Sequence, residues 1–216
     1  MSCSSANANP AEARLNFQAL PDGPAPVNFG PGPALSATAP ADDAPTQLRV
    51  MGGKLTNKPT LAGRAAGYYT TANLGAPVRA IGARWTFTER GGTNGAMALL
   101  VSQTPMHFPF AMHLVITADR WSFGVWPPDG ATPSGLQTLQ SKPFDVPLNQ
   151  DGGQVYETTV EINGDRADIE LPDGQHETLT DHRIADWAGP FATFEAYADH
   201  GVTDSRVGFT EIWAHS

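Results

Sequence analysis

Residues 154–171, QVYETTVEINGDRADIEL, constrain this chain more than any other stretch. Tyr156, Thr158, Val160 and Ile162 alternate with Glu157, Thr159 and Glu161, and Ala167, Ile169 and Leu171 resume the alternation after Asn163 and Gly164. Period-two alternation marks a half-buried strand, because successive side chains leave opposite faces. Asn-Gly is the favoured two-residue hairpin turn, since both residues tolerate the positive φ that a type I′ turn demands. A hairpin with one apolar face needs a second layer to cover it.

The rest of the chain repeats this texture. QLRVMGGKLTN reads as strand, Gly-Gly turn, strand, and further strands are expected at 66–71 and 78–88, the latter carrying Ile81, Ala83, Trp85 and Phe87 on one face. AMALLVSQ (96–103) is continuously apolar, as a strand buried on both faces should be. Two more strands fall at 110–117 and 120–126, followed by a long turn-rich loop over 127–143. After the hairpin, PDG turns into QHETLT, and DHRIADWAG reads as one short helix capped by Asp181 and stopped by Gly189. A final pair of strands occupies 191–198 and 206–214. Roughly a dozen strands separated by frequent turns predict an all-β antiparallel β-sandwich with one short helix. The composition agrees: 22 Gly and 19 Pro in 216 residues favour turns over long helices.

Two regions follow from the change of texture near residue 47. Residues 1–46 are rich in Pro, Gly and Ala without periodicity, with Phe17, Leu20, Val27 and Phe29 as isolated apolar anchors and one short strand expected at 14–18. They read as an extended N-terminal arm, flexible alone, that docks onto a partner; residues 47–216 form the sandwich. Cys3 excludes an intramolecular disulfide, being the only cysteine, and its CSSA context resembles the start of a mature actinobacterial lipoprotein, although no apolar signal segment precedes it. A net charge of −9 argues against a nucleic-acid partner, which needs a basic face. No apolar run approaches the ~18 residues of a membrane span.

Candidate chemistry gathers in the last two strands. Phe191, Thr193, Glu195 and Tyr197 share one face of FATFEAYAD, while Ala192, Phe194, Ala196 and Ala198 suit the core. In RVGFTEIWAHS, strict alternation places Val207, Phe209, Glu211 and Trp213 together, opposite Gly208, Thr210, Ile212 and Ala214. Glu211 and Trp213 are thus expected beside Glu195 and Tyr197 on a neighbouring strand. Rings stack on the apolar faces of sugars and carboxylates accept from hydroxyls, so this mixture suits a glycan-binding face, with His113 as a further polar partner and Trp126 as a further aromatic. Trp85 and Trp121 are the tryptophans that core packing claims. The bland reading of the same residues is two carboxylates on a solvated sheet face.

Catalysis is the lesser expectation, and no catalytic residue is assigned. A glycosidase needs two carboxyl groups about 5–9 Å apart, and no strand carries a compact acidic cluster on one face. His107 and His113, six residues apart, lack the spacing and third ligand of a metal site. Asp199 and Asp204 offer oxygen ligands for Ca²⁺, but match no ligand pattern. No cofactor or metal is therefore expected. Nucleophile elbow, phosphate-binding loop, CxxC and HExxH motifs do not occur in the sequence.

From about Leu48 to Trp213, the order of LRVMGGKLT, VYETTVEINGDRADIELPDG, TDHRIADWAG, FATFEAYAD and VGFTEIWA resembles a concanavalin A-like (laminin G-like) jelly roll. That resemblance implies a lectin, adhesion module, glucanase or lyase fold. The acidic strand of laminarinase-type glucanases and the Arg-x-Glu-x-Arg and Gln-x-His strands of alginate-lyase relatives are absent, so no catalytic residue carries over. The Ala/Gly/Pro-rich texture, with LRVMGGKLT and TDHRIADWAGPFATFEAY, also resembles minor tail or virion surface proteins of actinobacterial phages. Together these imply a non-catalytic attachment module on a virion, oligomeric or part of a larger assembly, that binds cell-wall polysaccharide and contacts other virion proteins through the arm. A purely structural virion protein and an extracellular or lipid-anchored envelope protein, glycosidase or lyase of the same fold stay open.

Overall fold

The computed structural model describes residues 11–38, 46–59, 65–87, 95–105, 111–126, 135–198 and 207–216. Cys3, His107, Asp199 and Asp204 lie outside these residues. In chain order the strands are β1 (Glu12–Asn16), β2 (Gly23–Pro24), β3 (Leu35–Thr38), β4 (Thr46–Met51), β5 (Lys54–Pro59), β6 (Ala65–Thr70), β7 (Ala80–Phe87) and β8 (Gly95–Ser102). They continue as β9 (Ala111–Ile116), β10 (Arg120–Trp126), β11 (Gln137–Pro143), β12 (Tyr156–Asn163), β13 (Arg166–Glu170), β14 (His176–Thr180), β15 (Phe191–Ala198) and β16 (Val207–His215). One α-helix, α1 (His182–Trp187), precedes β15 among the described residues, with Asp181 as its N-cap.

Two antiparallel sheets form a sandwich. The nine-stranded sheet runs β14-β13-β12-β7-β16-β5-β4-β2, with β1 also paired to β16. The seven-stranded sheet runs β11-β10-β9-β8-β15-β6-β3. Their facing sides make one core, in which Trp85, Phe87 and Tyr156 pack as one aromatic group and Phe29, Tyr69, Phe194 and Phe209 as another. Trp85 and Trp121 are both fully buried there, and the Trp85 indole donates to Thr158 Oγ1 at 3.1 Å, so its one polar atom is satisfied.

The segment expected as an arm contributes strands to both sheets. Over its described part, β1 pairs with β16, β2 with β4 and β3 with β6. Ala13, Phe17 and Phe29 are buried in the shared core. Burial of one phenylalanine side chain stabilises by about 1.5–3 kcal/mol, and here it acts together with the three strand pairings. The strand expected at 14–18 lies at Glu12–Asn16, because Phe17 leaves the sheet in a 3-10 turn capped by the Asn16 side chain.

Two expectations are corrected. The 127–143 region is not loop throughout: Gln137–Pro143 is an edge strand paired with β10. Its sequence, QTLQSKP, shows no alternation because an edge strand open to solvent has no apolar face to maintain. More important for function, β16 does not keep a single alternation. Phe209 stands opposite Trp85 and Glu211 opposite Arg84, so Thr210 is an extra residue in a β-bulge. Its hydroxyl donates to the Arg84 carbonyl at 3.1 Å. The bulge shifts the alternation by one, so Val207 and Phe209 enter the core before it and Ile212 and Ala214 after it. Glu211 and Trp213 are thereby turned outward, away from the side that Phe209 occupies.

Candidate functional site

β15 sits inside the seven-stranded sheet, between β8 and β6, and buries Ala192, Phe194 and Ala196 in the core as its alternation requires. Thr193, Glu195 and Tyr197 therefore project from the outer face. Across the ladders, Glu195 faces Tyr68 on one side and Ala98 on the other, while Thr193 faces Thr70 and Leu100. His113 lies one strand further, opposite Leu100 and Gly124. Ala98 carries only a methyl group, which leaves room for the Glu195 side chain to cross β8 toward β9. It does so: His113 Nε2 lies 3.3 Å from Glu195 Oε2.

Trp126, on β10, completes the row. Its indole N–H donates to His113 Nδ1 at 3.0 Å, with the two rings 6.1 Å apart and inclined by 29°. His113 and Glu195 are only 6% and 7% exposed, whereas Trp126 and Tyr197 are half-buried. Beside them, the Thr70 and Thr193 hydroxyls share a hydrogen bond of 2.9 Å. Ala98, Leu100 and Ala111 form a small apolar floor, against which Val115 and Trp126 pack. Gly124 is glycine for a steric reason: a Cβ there would lie 2.6 Å from the carbonyl oxygen of Gln137 on the neighbouring strand β11.

His113 Nε2 forms no hydrogen bond despite its nearness to Glu195. The close approach is a contact between a donor and an acceptor, not a completed bond. Among the described strand positions of this face, Glu195 is the one carboxylate.

Glu211 and Trp213 are elsewhere. β15 and β16 belong to different sheets and do not pair, so the expected adjacency of Glu195 with Glu211 is overturned by topology. On the outer face of the nine-stranded sheet, Glu211 Oε1 accepts from Arg14 Nε at 2.7 Å and its Oε2 lies 3.6 Å from Arg84. Arg84 in turn donates to Glu157 at 2.8 Å. The Trp213 ring lies over Gly82, whose imagined Cβ would stand 2.4 Å from the indole, and the Arg14 guanidinium covers it at 5.3 Å from the ring centroid. Both faces of this indole are occupied by the protein itself.

Sequence reasoning thus named four residues that the fold brings to one face, His113, Trp126, Glu195 and Tyr197, and two that it places on the opposite sheet. It placed Thr193 on that face but missed Tyr68 and Thr70, the latter bonded to Thr193. The tandem tyrosines of GYYTT carried the signal: on a strand, one ring must face the core and the other must face away, and Tyr69 takes the core. Among the described residues, no group of three His, Cys, Asp or Glu side chains stands close enough to hold a metal ion. No described helix is long and apolar enough to cross a membrane.

No protein-family model matches the chain, and no curated protein matches it in sequence. Solved structures do match. The carbohydrate-binding module CBM66 from Bacillus subtilis is 14% identical with a TM-score of 0.50, over 81% of this chain and 91% of that one. SCLam, a non-specific endo-beta-1,3(4)-glucanase from family GH16, is 11% identical with a TM-score of 0.60, over 94% and 89%. The Emp46p carbohydrate recognition domain, in its metal-free form, is 10% identical with a TM-score of 0.56, over 84% and 87%. The fold is a concanavalin A-like jelly roll. Structures of this shape include glucanases and carbohydrate-binding modules alike.

Proposed function

We propose that this protein is a non-catalytic glycan-binding module whose ligand lies along the outer face of the seven-stranded sheet, with Trp126 and Tyr197 as the aromatic rim and His113 and Glu195 as the polar centre. The observation that carries this reading is the single carboxylate among the described strand positions of a face with an aromatic rim. Hydrolysis of a glycosidic bond takes two carboxyl groups about 5–9.5 Å apart, and Glu195 has no such companion there. Glu211 is not that companion, since it lies on the other sheet and is held by Arg14. Trp213 and Glu211 serve in this reading to hold β1 in place.

The setting belongs to the same proposal: attachment of a phage tail or virion surface to envelope polysaccharide of an actinobacterial cell. What supports it is the Ala/Gly/Pro-rich texture and the TDHRIADWAGPFATFEAY stretch. The described part of the N-terminal segment lies on its own domain, so contacts with other virion proteins would draw on surfaces beyond it. The test is a binding titration against purified actinobacterial wall polysaccharides, with reducing sugar measured in parallel. Saturable binding that Trp126→Ala and Glu195→Ala abolish, without release of sugar, is the expected result. Release of oligosaccharides that Glu195→Ala stops would establish an enzyme instead.

A further inference from the structure

We infer that the Trp126, His113 and Glu195 row reads a neutral sugar hydroxyl and rejects a uronate or sulfate group at the same position, with Trp126 acting as the positioning residue that fixes the histidine tautomer. The inference rests on the reading above, that the ligand is a glycan on this face.

Trp126 presents His113 with a donor that cannot accept. An indole N–H only donates, so the 3.0 Å contact from Trp126 Nε1 requires a lone pair on His113 Nδ1. The neutral imidazole has one proton, and it must then reside on Nε2. The neighbouring indole thus selects the neutral tautomer whose N–H is on Nε2, the ring nitrogen 3.3 Å from Glu195 Oε2.

That N–H is unspent. Nε2 is buried and makes no hydrogen bond, although Glu195 Oε2 lies 3.3 Å away. A buried donor without a partner, with a carboxylate oxygen beside it that does not satisfy it, is complementary to one group: a hydroxyl, which accepts through a lone pair and donates its own proton. The oxygen of such a hydroxyl can take the Nε2 proton and give its proton to Oε2 together. An anionic group fits half of this. It accepts from Nε2 but has no proton for Glu195, and it sets a second negative charge against a carboxylate already removed from water.

Among the described strand positions that face the pair, no cation offers relief for such a charge. The residues facing Glu195 and His113 from adjoining strands are Tyr68, Ala98, Leu100 and Gly124, none of them cationic. Because the pair is more than nine-tenths buried, only a projecting hydroxyl descends to it, while the sugar ring itself stays on the half-buried rim of Trp126 and Tyr197.

The test uses the full chain labelled with ¹⁵N at histidine. Imidazole nitrogen shifts report the tautomer, and titrations with neutral cello- and galacto-oligosaccharides are set against oligogalacturonides of matched length. The expected result is an Nε2-protonated His113 in the wild type, a mixed tautomer in Trp126→Phe, and binding of neutral sugars only. Glu195→Gln, which keeps shape and fold, should weaken neutral binding by about tenfold and narrow the discrimination against uronides. An Nδ1-protonated His113, or uronides bound as tightly as neutral sugars by the wild type, would overturn the inference while leaving a glycan-binding module in place. Failure of every oligosaccharide and wall fraction to bind would sink both.

Discussion

Replacing Gly82 by alanine should test where Trp213 is committed. Gly82 lies in β7 opposite Trp213 in β16, and it is not one of the glycines with positive φ, so its backbone accepts an L side chain. What it does not accept is volume. A Cβ would lie 2.4 Å from both Cε2 and Cζ2 of the Trp213 ring and 2.6 Å from its Nε1, well inside contact distance. The indole must lift away from the strand, and in doing so it leaves Arg14, whose guanidinium is stacked on its other side at 5.3 Å. Overpacking of this kind costs about 1–3 kcal/mol, within which the lost cation–π contact accounts for about 0.5–1 kcal/mol. For a chain of this size that corresponds to a fall in Tm of roughly 2–12 °C. The decisive measurement is a double-mutant cycle by calorimetry or urea unfolding. In a Trp213→Ala background the clash is gone, and Gly82→Ala should become neutral or slightly stabilising, since alanine loses less entropy than glycine in a strand. An equal cost in both backgrounds would refute the placement of the ring over Gly82. Oligosaccharide binding on the other sheet should be unchanged in the folded fraction of each variant.

Two further outcomes follow from titratable groups built into the fold. Asp181 caps α1 through a bond to the Arg183 amide at 3.0 Å, and the Arg183 guanidinium, bonded to both carboxylate oxygens, holds its carboxyl well below the usual range. A depressed folded pKa contributes stability that is present above the unfolded value of about 4 and is lost as pH falls through the folded one. Asp181→Ala should therefore cost about 1 kcal/mol at pH 7 and flatten the acid limb of the stability profile, as read by urea midpoints at pH 7 and pH 3. Tyr69 is the opposite case: burial raises its phenol above the usual value, and its hydroxyl donates to the Pro26 carbonyl of the N-terminal segment. Its contribution is present below the unfolded pKa of about 10 and is lost as pH rises toward the folded one. Tyr69→Phe should cost about 1 kcal/mol at neutral pH and remove part of the alkaline loss, as read by unfolding at pH 9 and pH 11.

How much of this was legible in the sequence depends on which physical rule each element obeys. The β12 and β13 hairpin was fully legible, because alternation and the Asn-Gly turn are both local: register Ile162 to Ala167 and Val160 to Ile169 is what the pattern demands. The α1 cap was legible for the same reason. β11 was not, since an exposed edge strand needs no hydrophobic pattern. The N-terminal segment was half legible: its apolar anchors Phe17 and Phe29 were visible, but nothing local says that the core they fill is their own domain's.

The site divides along the same line. Glu195, Tyr197 and His113 were readable because β9 and β15 keep their alternation from end to end, so a polar residue between core residues must point outward. Glu211 and Trp213 were misplaced by two non-local facts. A bulge at Thr210 shifts the register of β16, and the chain passes from one sheet to the other between β15 and β16. Neither leaves a mark on eleven residues of sequence. Yet the bulge is what makes a closing glutamate tolerable at all: without the extra residue, Glu211 would follow Phe209 into the apolar core, where a lone carboxylate carries a desolvation cost of several kcal/mol. With it, Glu211 reaches Arg14 and Arg84 on the outer face. The carboxylate expected beside Glu195 is explained by ion pairs to Arg14 of β1 and Arg84 of β7, and the one that carries the proposed function is the more deeply buried Glu195.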